Sequence, residues 1–135
     1  MAAQILVVED NEANRVLLRD ILAINGYEVL EAANGEEGVR LARERRPHLI
    51  LMDIQLPRLD GISATKILKN DPLTRDIPVI AVSSYAYERE KEFFRAAGGN
   101  AYLTKPIDID AILQALTSFL GGEKAGGEEA QNPGR

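Results

Sequence analysis

A chain of 135 residues is enough for one domain that buries a core of its own. It contains no cysteine, which excludes disulfides, thiolate metal sites and a cysteine nucleophile; 21 Asp and Glu against 16 Lys and Arg, without a basic run, argue against direct nucleic-acid binding. The start, Met1-Ala2-Ala3-Gln4-Ile5, has no charged-then-apolar leader and no apolar run approaches about 18 residues, so a cytoplasmic protein with no membrane segment is expected.

The predicted elements alternate between strand and helix. Ile5-Leu6-Val7-Val8 is a continuous, partly β-branched apolar run, as in a strand buried on both faces, and it ends in Glu9-Asp10-Asn11-Glu12. Ala13, Val16, Leu17, Ile21, Leu22 and Ile24 then recur at helical spacing, and Asn25-Gly26 stops that helix. Tyr27 to Glu31 is a more mixed strand, suited to a sheet edge. Asn34 with Glu37 three residues on opens a second helix in capping-box fashion, which runs to Arg45-Arg46 and stops at Pro47.

Leu49-Ile50-Leu51-Met52-Asp53 is the most informative segment. An uncharged apolar block ends in one carboxylate, with Pro57 and an Asp60-Gly61 turn close behind, so a buried strand delivers an acid to a loop. Ile62, Thr65, Ile67 and Leu68 predict a short third helix closed by Asp71-Pro72. Pro78 to Val82 is another buried strand, followed by Ser83-Ser84. Glu88 to Glu92 with Phe93, Phe94, Ala96 and Ala97 forms a fourth helix whose thin apolar stripe leaves it free to shift. Ala101-Tyr102-Leu103 is the fifth strand, with Thr104-Lys105-Pro106 at its tip. Asp108 caps a last helix that turns Ile109, Ile112, Leu113, Leu116, Phe119 and Leu120 inward and stops at Gly121-Gly122.

Five strands alternating with five helices predict a doubly wound α/β fold, a five-stranded parallel sheet covered on both faces. Residues 1–121 are expected to form this domain and 122–135, rich in Gly and Glu without an apolar stripe, a disordered tail too short for another domain. In such a sheet the site lies beyond the carboxyl ends of the strands. There the chain places Glu9 and Asp10 after the first strand, Asp53 after the third, Ser83 after the fourth and Lys105 after the fifth; only the second tip contributes nothing. Three carboxylates close together call for a cation, and Mg²⁺ takes oxygen ligands while leaving positions for water or phosphate. The acids after the first strand are wrong for a phosphate cradle, and neither GxGxxG nor GxxxxGK[ST] occurs. A carboxylate nucleophile, a divalent ion, a lysine and a hydroxyl suit transfer of a phosphoryl group, with Asp53, Lys105 and Ser83 in those roles.

Four segments together, Val8-Glu9-Asp10-Asn11, Met52-Asp53-Ile54-Gln55-Leu56-Pro57 with Asp60-Gly61, Pro78 to Ser83, and Tyr102-Leu103-Thr104-Lys105-Pro106, make the chain resemble the receiver domain of two-component response regulators, of the single-domain or hybrid-kinase type. The resemblance covers residues 4 to about 121. It implies a flavodoxin-like sheet of order 2-1-3-4-5. It implies further that Asp53 accepts a phosphoryl group from a histidine kinase or histidine phosphotransfer protein, and that Mg²⁺ is bound by Asp10, Asp53 and the backbone carbonyl of Gln55, with Glu9 acting through water. Lys105 and Ser83 would hold the phosphoryl group, Tyr102 would switch rotamer with Ser83, and the bond before Pro106 would be cis. Gln55 and Tyr85 stand where the family tunes hydrolysis of the acyl phosphate. Ser at 83 and at 84 departs from the more usual Thr and Ala, but both keep the site small.

Output is expected through the fourth helix, fifth strand and fifth helix to a downstream protein. The last helix has no Lys or Arg, which disfavours a dimer laced there by salt bridges. His48 lacks a ligand-spaced partner and is expected to be structural. Other readings are a flavin-binding flavodoxin-like protein, an aspartate-nucleophile phosphatase, a pseudo-receiver adaptor that is never phosphorylated, and a receiver fragment of a hybrid histidine kinase.

Overall fold

The computed structural model describes residues 2–85 and 87–121. The elements follow one another as β1 (Gln4–Val8), α1 (Glu12–Ile24), β2 (Glu28–Ala32), α2 (Gly35–Arg45), β3 (Leu49–Asp53), α3 (Gly61–Lys69), β4 (Val79–Ser83), α4 (Glu88–Ala96), β5 (Ala101–Thr104) and α5 (Ile109–Leu120). All pairings are parallel and the strand order is β2-β1-β3-β4-β5. The chain winds outward from β1 to β2, then returns past β1 to β3 and continues the other way. The winding therefore reverses between β1 and β3, where a doubly wound sheet opens a crevice. The tail, residues 122–135, lies outside the described residues.

Alternation along each strand builds two cores. Leu6, Val8, Ile50, Met52, Val79 and Ala81 face the layer that holds Ala42, Ala64, Leu68 and Phe94 of α2, α3 and α4. Ile5, Val7, Leu49, Leu51, Ile80 and Val82 face Leu18, Leu22, Ile112 and Leu116 of α1 and α5. Burying each Val, Leu, Ile, Met or Phe among them contributes about 1.5–3 kcal/mol. Against that scale α4 is thinly held, since Phe94 is its one buried residue.

The caps follow the sequence. Asn11 Oδ1 accepts from the Asn14 N–H, Asn34 Oδ1 from the Glu37 N–H at 2.8 Å, and Asp108 Oδ1 from the N–H groups of Asp110 and Ala111. The return bond of the second cap differs from a capping box: Glu37 Oε1 accepts the N–H of Ala33, one residue before the cap. Arg46, in the left-handed region at φ 46°, ends α2 before Pro47, and Gly121 at φ 64° ends α5. His48 is structural, accepting the Gln4 N–H at Nδ1.

Several apolar residues read as part of helical stripes, Phe93 of α4 among them, are exposed. In α1 the buried residues are Leu18, Ile21 and Leu22, whereas Leu17 is exposed and Ile24 is 84% exposed. A residue turns about 100° per position, so Leu17 lies beside the buried stripe rather than on it. Ile67, next to buried Leu68, and Ile109, the first residue of α5, are exposed as well.

Candidate functional site

The strands converge on a cleft at their carboxyl ends. Glu9 follows directly from β1, and its N–H donates to the carbonyl of Ala32 on β2 at 3.0 Å, so the acid is carried at a fixed height above the sheet. Asp53 is the last residue of β3. Glu9 is 2% exposed and Asp53 6%, while Asp10 stands in solvent. One carboxylate oxygen from each of the three falls within 4.8 Å of the others. The expected acidic cluster therefore forms at the reversal of winding.

Lys105 reaches it from two strands away. Its backbone N–H donates to the Ser83 carbonyl at 2.7 Å, and its side chain crosses the tip of β4. Nζ lies 2.9 Å from Glu9 Oε1 and 3.5 Å from Asp53 Oδ2. The sequence pointed Lys105 at the Asp53 side of the site, but Glu9 is its nearer partner. The Lys105–Pro106 bond is cis, as the resemblance implied.

One cation cannot neutralise three acids. Burial, then the charge of Glu9, pushes the Asp53 carboxyl up from 3.8 to about 7 against the opposing pull of Lys105. Burial lowers the Lys105 ammonium, but its hydrogen bond to Glu9 and the charges of Asp53 and Glu9 outweigh that and hold it above its ordinary value. An all-carboxylate donor set with surplus negative charge fits a hard divalent cation.

Ser83 is the last residue of β4 rather than the first after it, and it is fully buried. Its Oγ accepts the Tyr85 N–H at 3.1 Å, and the Tyr85 carbonyl accepts the Tyr102 hydroxyl at 2.9 Å. The backbone of Tyr85 thus joins two residues that the sequence had linked only as a pair. Among the described residues neither the Ser83 nor the Tyr102 side chain hydrogen-bonds to the acids. The Tyr102 ring meets Phe94 edge-on at 5.9 Å with the Lys91 ammonium above it, which ties α4 to the same chain of contacts. Tyr85 itself stacks on Tyr87, with centroids 5.5 Å apart. Gln55 is exposed, and its N–H donates to Asp53 Oδ1 at 3.1 Å.

Two residues support the site through contacts that their place in the sequence does not show. Arg15, on α1, donates to the Glu9 carbonyl at 3.0 Å. Gly61, read as a turn residue, packs against the main chain of Asp53 and Ile54. Among the described residues no helix is long and apolar enough to cross a membrane.

Comparison with known proteins gives a consistent result. The model of the response regulator receiver domain family matches residues 5–117. The polar-differentiation response regulator DivK of Brucella anthropi is 46% identical over 121 residues, covering 90% of this chain and 98% of that protein. The receiver domain of sensor histidine kinase PA1611 from Pseudomonas aeruginosa PAO1, solved with a magnesium ion coordinated in its active site cleft, aligns with a TM-score of 0.84 at 36% identity over 90% of this chain and 99% of that one. Chemotaxis protein CheY4 of Vibrio cholerae aligns with a TM-score of 0.84 at 25% identity, covering 88% and 99%.

Proposed function

The chain belongs to the response regulator receiver family of two-component signalling, and on that footing we propose that Asp53 is its phosphoacceptor, taking a phosphoryl group from a phosphohistidine of a kinase or phosphotransfer protein in the cytoplasm. The observation that carries this reading is the buried Asp53 carboxylate at the point where the winding reverses, grouped with Glu9 and Asp10 and faced by Lys105. In the transfer the P–N bond to the donor imidazole breaks as an Asp53 oxygen bonds to phosphorus. The imidazole leaves with the electron pair and takes up a proton. Lys105 Nζ, already 3.5 Å from Asp53 Oδ2, meets the charge on the transferred oxygens, and Ser83 Oγ offers a hydroxyl from the neighbouring tip.

Mg²⁺ suits the donor set. Asp10, Asp53 and the Gln55 carbonyl would hold it, with Glu9 through water; bound there it supplies the positive charge that keeps Asp53 ionised and offsets charge on the phosphoryl oxygens. PA1611's receiver, with magnesium in its cleft, supports the assignment.

A phosphoryl group adds about −1.5 to −2 charges. Drawing Ser83 Oγ toward it withdraws the acceptor of the Tyr85 N–H, and the Tyr85 carbonyl that holds Tyr102 belongs to the same residue. Tyr102 packs on Phe94, the single buried anchor of α4, so the change leaves the cleft through α4, β5 and α5 to a downstream protein.

Intact mass after incubation with acetyl phosphate and Mg²⁺ tests the reading. One added phosphoryl group is expected, absent from Asp53→Asn and from an EDTA control. An adduct that survives Asp53→Asn would sink it; no adduct and no binding of beryllofluoride would leave an adaptor that is never phosphorylated. Gln55 and Tyr85 tune hydrolysis in this reading. Tyr85→Ala keeps both backbone bonds yet opens a path for water, and should shorten the phosphoryl lifetime severalfold by phosphate release. An unchanged lifetime would remove Tyr85 from that role.

A further inference from the structure

The second strand tip contributes no group to the cleft itself, yet it is tied to the cleft by one side chain. Arg15 lies on α1 just past the acidic loop, with its side chain only 18% exposed. Its Nη1 donates to the backbone carbonyl of Glu9 at 3.0 Å, and its Nε donates to Glu31 Oε1 on β2 at 3.2 Å. Arg19, one turn further along α1, approaches the other Glu31 oxygen at 3.7 Å.

The carbonyl that Arg15 holds is half of the peptide unit joining Glu9 to Asp10. The Glu9 N–H is already fixed to Ala32 on β2. With its carbonyl bonded as well, both sides of the Glu9 backbone are tied, which restricts how the chain turns there and the direction in which Asp10 leaves the loop. The main chain that carries two of the three clustered carboxylates is therefore held by one guanidinium, while the Glu9 carboxylate itself is held by the Asn11 N–H and Lys105. A guanidinium beside a cation site would by itself repel the cation, and the Glu31 carboxylate removes that objection by pairing with it.

We propose that Arg15 is a positioning residue for the divalent-cation site, that it acts by clamping the Glu9–Asp10 peptide, and that β2 serves the cleft through Glu31, which both anchors and neutralises Arg15. The proposal rests on the reading that the acidic cluster binds Mg²⁺. The two acceptors, a carbonyl and a carboxylate on different elements, are met by separate nitrogens of the planar arginine fork, a geometry that the shorter point-like ammonium of a lysine does not reproduce.

Titration of the folded chain with Mg²⁺ by calorimetry separates this role from packing. Arg15→Met keeps the aliphatic stem and removes the guanidinium, and should weaken Mg²⁺ binding by about tenfold, the usual scale for partners that orient a ligand. Glu31→Gln should weaken it in the same direction and by less, and Arg15→Lys should recover part of the loss. Arg19→Met, which also loses a Glu31 contact but touches nothing in the loop, should bind within twofold of the wild type. Circular-dichroism melts establish that each variant is folded at the titration temperature; if Arg15→Met does not fold, Arg15→Lys and Glu31→Gln carry the test. Affinity within twofold of the wild type in the folded Arg15 and Glu31 variants would overturn the positioning role alone, as would tighter binding by Arg15→Met. Failure of the wild-type chain to bind Mg²⁺ would overturn the cation reading, and the positioning role with it.

Discussion

Replacing Asp53 by Asn should make the metal-free protein more stable at pH 8 while abolishing phosphoryl uptake. The Asp53 carboxyl is pushed from 3.8 to about 7 in the folded chain, by burial first and by Glu9 second. Between those values the folded state binds a proton that the unfolded state has released, so the stability linked to this group is fully present below the lower value and is lost as pH rises through the upper one. Above neutrality the folded wild type holds an uncompensated charge beside Glu9. An unscreened rise of this size corresponds to about 4 kcal/mol, and screening on the open side of the cleft, where Asp10 meets solvent, brings the expected gain for Asp53→Asn to about 2 kcal/mol. The Asn side chain keeps an acceptor for the Gln55 N–H, and Lys105 keeps its nearer partner Glu9, so little else is lost.

Thermal unfolding in EDTA at pH 5 and at pH 8 measures the effect as a difference between the two proteins. The variant should melt several degrees higher at pH 8, with the gap narrowing toward pH 5. Adding Mg²⁺ should then raise the melting temperature of the wild type and narrow the gap from the other side, because a ligand that binds only the folded state stabilises it by mass action. A variant no more stable than the wild type at pH 8 would mean that Asp53 is not charged against its surroundings, and that the cleft is less starved of cations than its geometry indicates.

The sequence made some parts of this arrangement legible and hid others, for physical reasons. Strands buried on both faces leave continuous apolar runs, so β1, β3 and β4 were visible, and the acids that ended the first two runs stood out because a carboxylate is seldom buried unless it is paired. Caps were visible because Asn34 and Asp108 accept from backbone groups two or three residues away. Helix faces were less clear. The helical spacing read from α1 included Leu17 and Ile24 and passed over Leu18, and only the placement of α1 on the sheet decides that Leu18 enters the core. Contacts made across the sheet left no trace in spacing: the pairing of Lys105 with Glu9 spans 96 residues, and the Arg15 bond to the Glu9 carbonyl uses an atom that every residue possesses. The relay through Tyr85 uses backbone groups in the same way, so the sequence could name Ser83, Tyr85 and Tyr102 separately without showing how they meet.

Gly61→Ala should destabilise the protein and disturb the Asp53 site, although the sequence taken alone argues for the opposite sign. Gly61 is the first residue of α3 after the Asp60 cap, and its backbone is not in the left-handed region. Alanine at an ordinary helical position is favoured over glycine by up to about 1 kcal/mol. The space around Gly61 reverses that preference. Its N–H donates to the Ile54 carbonyl at 2.9 Å, drawing the start of α3 onto the end of β3. A Cβ built there would overlap the carbonyl oxygen of Asp53 and come within 2.8 Å of the Ile54 Cα and 2.9 Å of the Asp53 carbonyl carbon. These are backbone atoms, which cannot rotate aside as a side chain would. Either α3 or the tip of β3 must move, and overpacking of this kind costs about 1–3 kcal/mol. Urea unfolding should give a midpoint lowered accordingly, and phosphoryl uptake from acetyl phosphate by the folded variant should fall because the displaced main chain is that of the phosphoacceptor. A variant as stable as the wild type or more so, with uptake unchanged, would show that Gly61 serves only the turn and that α3 is free to sit farther from Asp53. A loss of both would show that a residue without a side chain sets how closely the third helix supports the site.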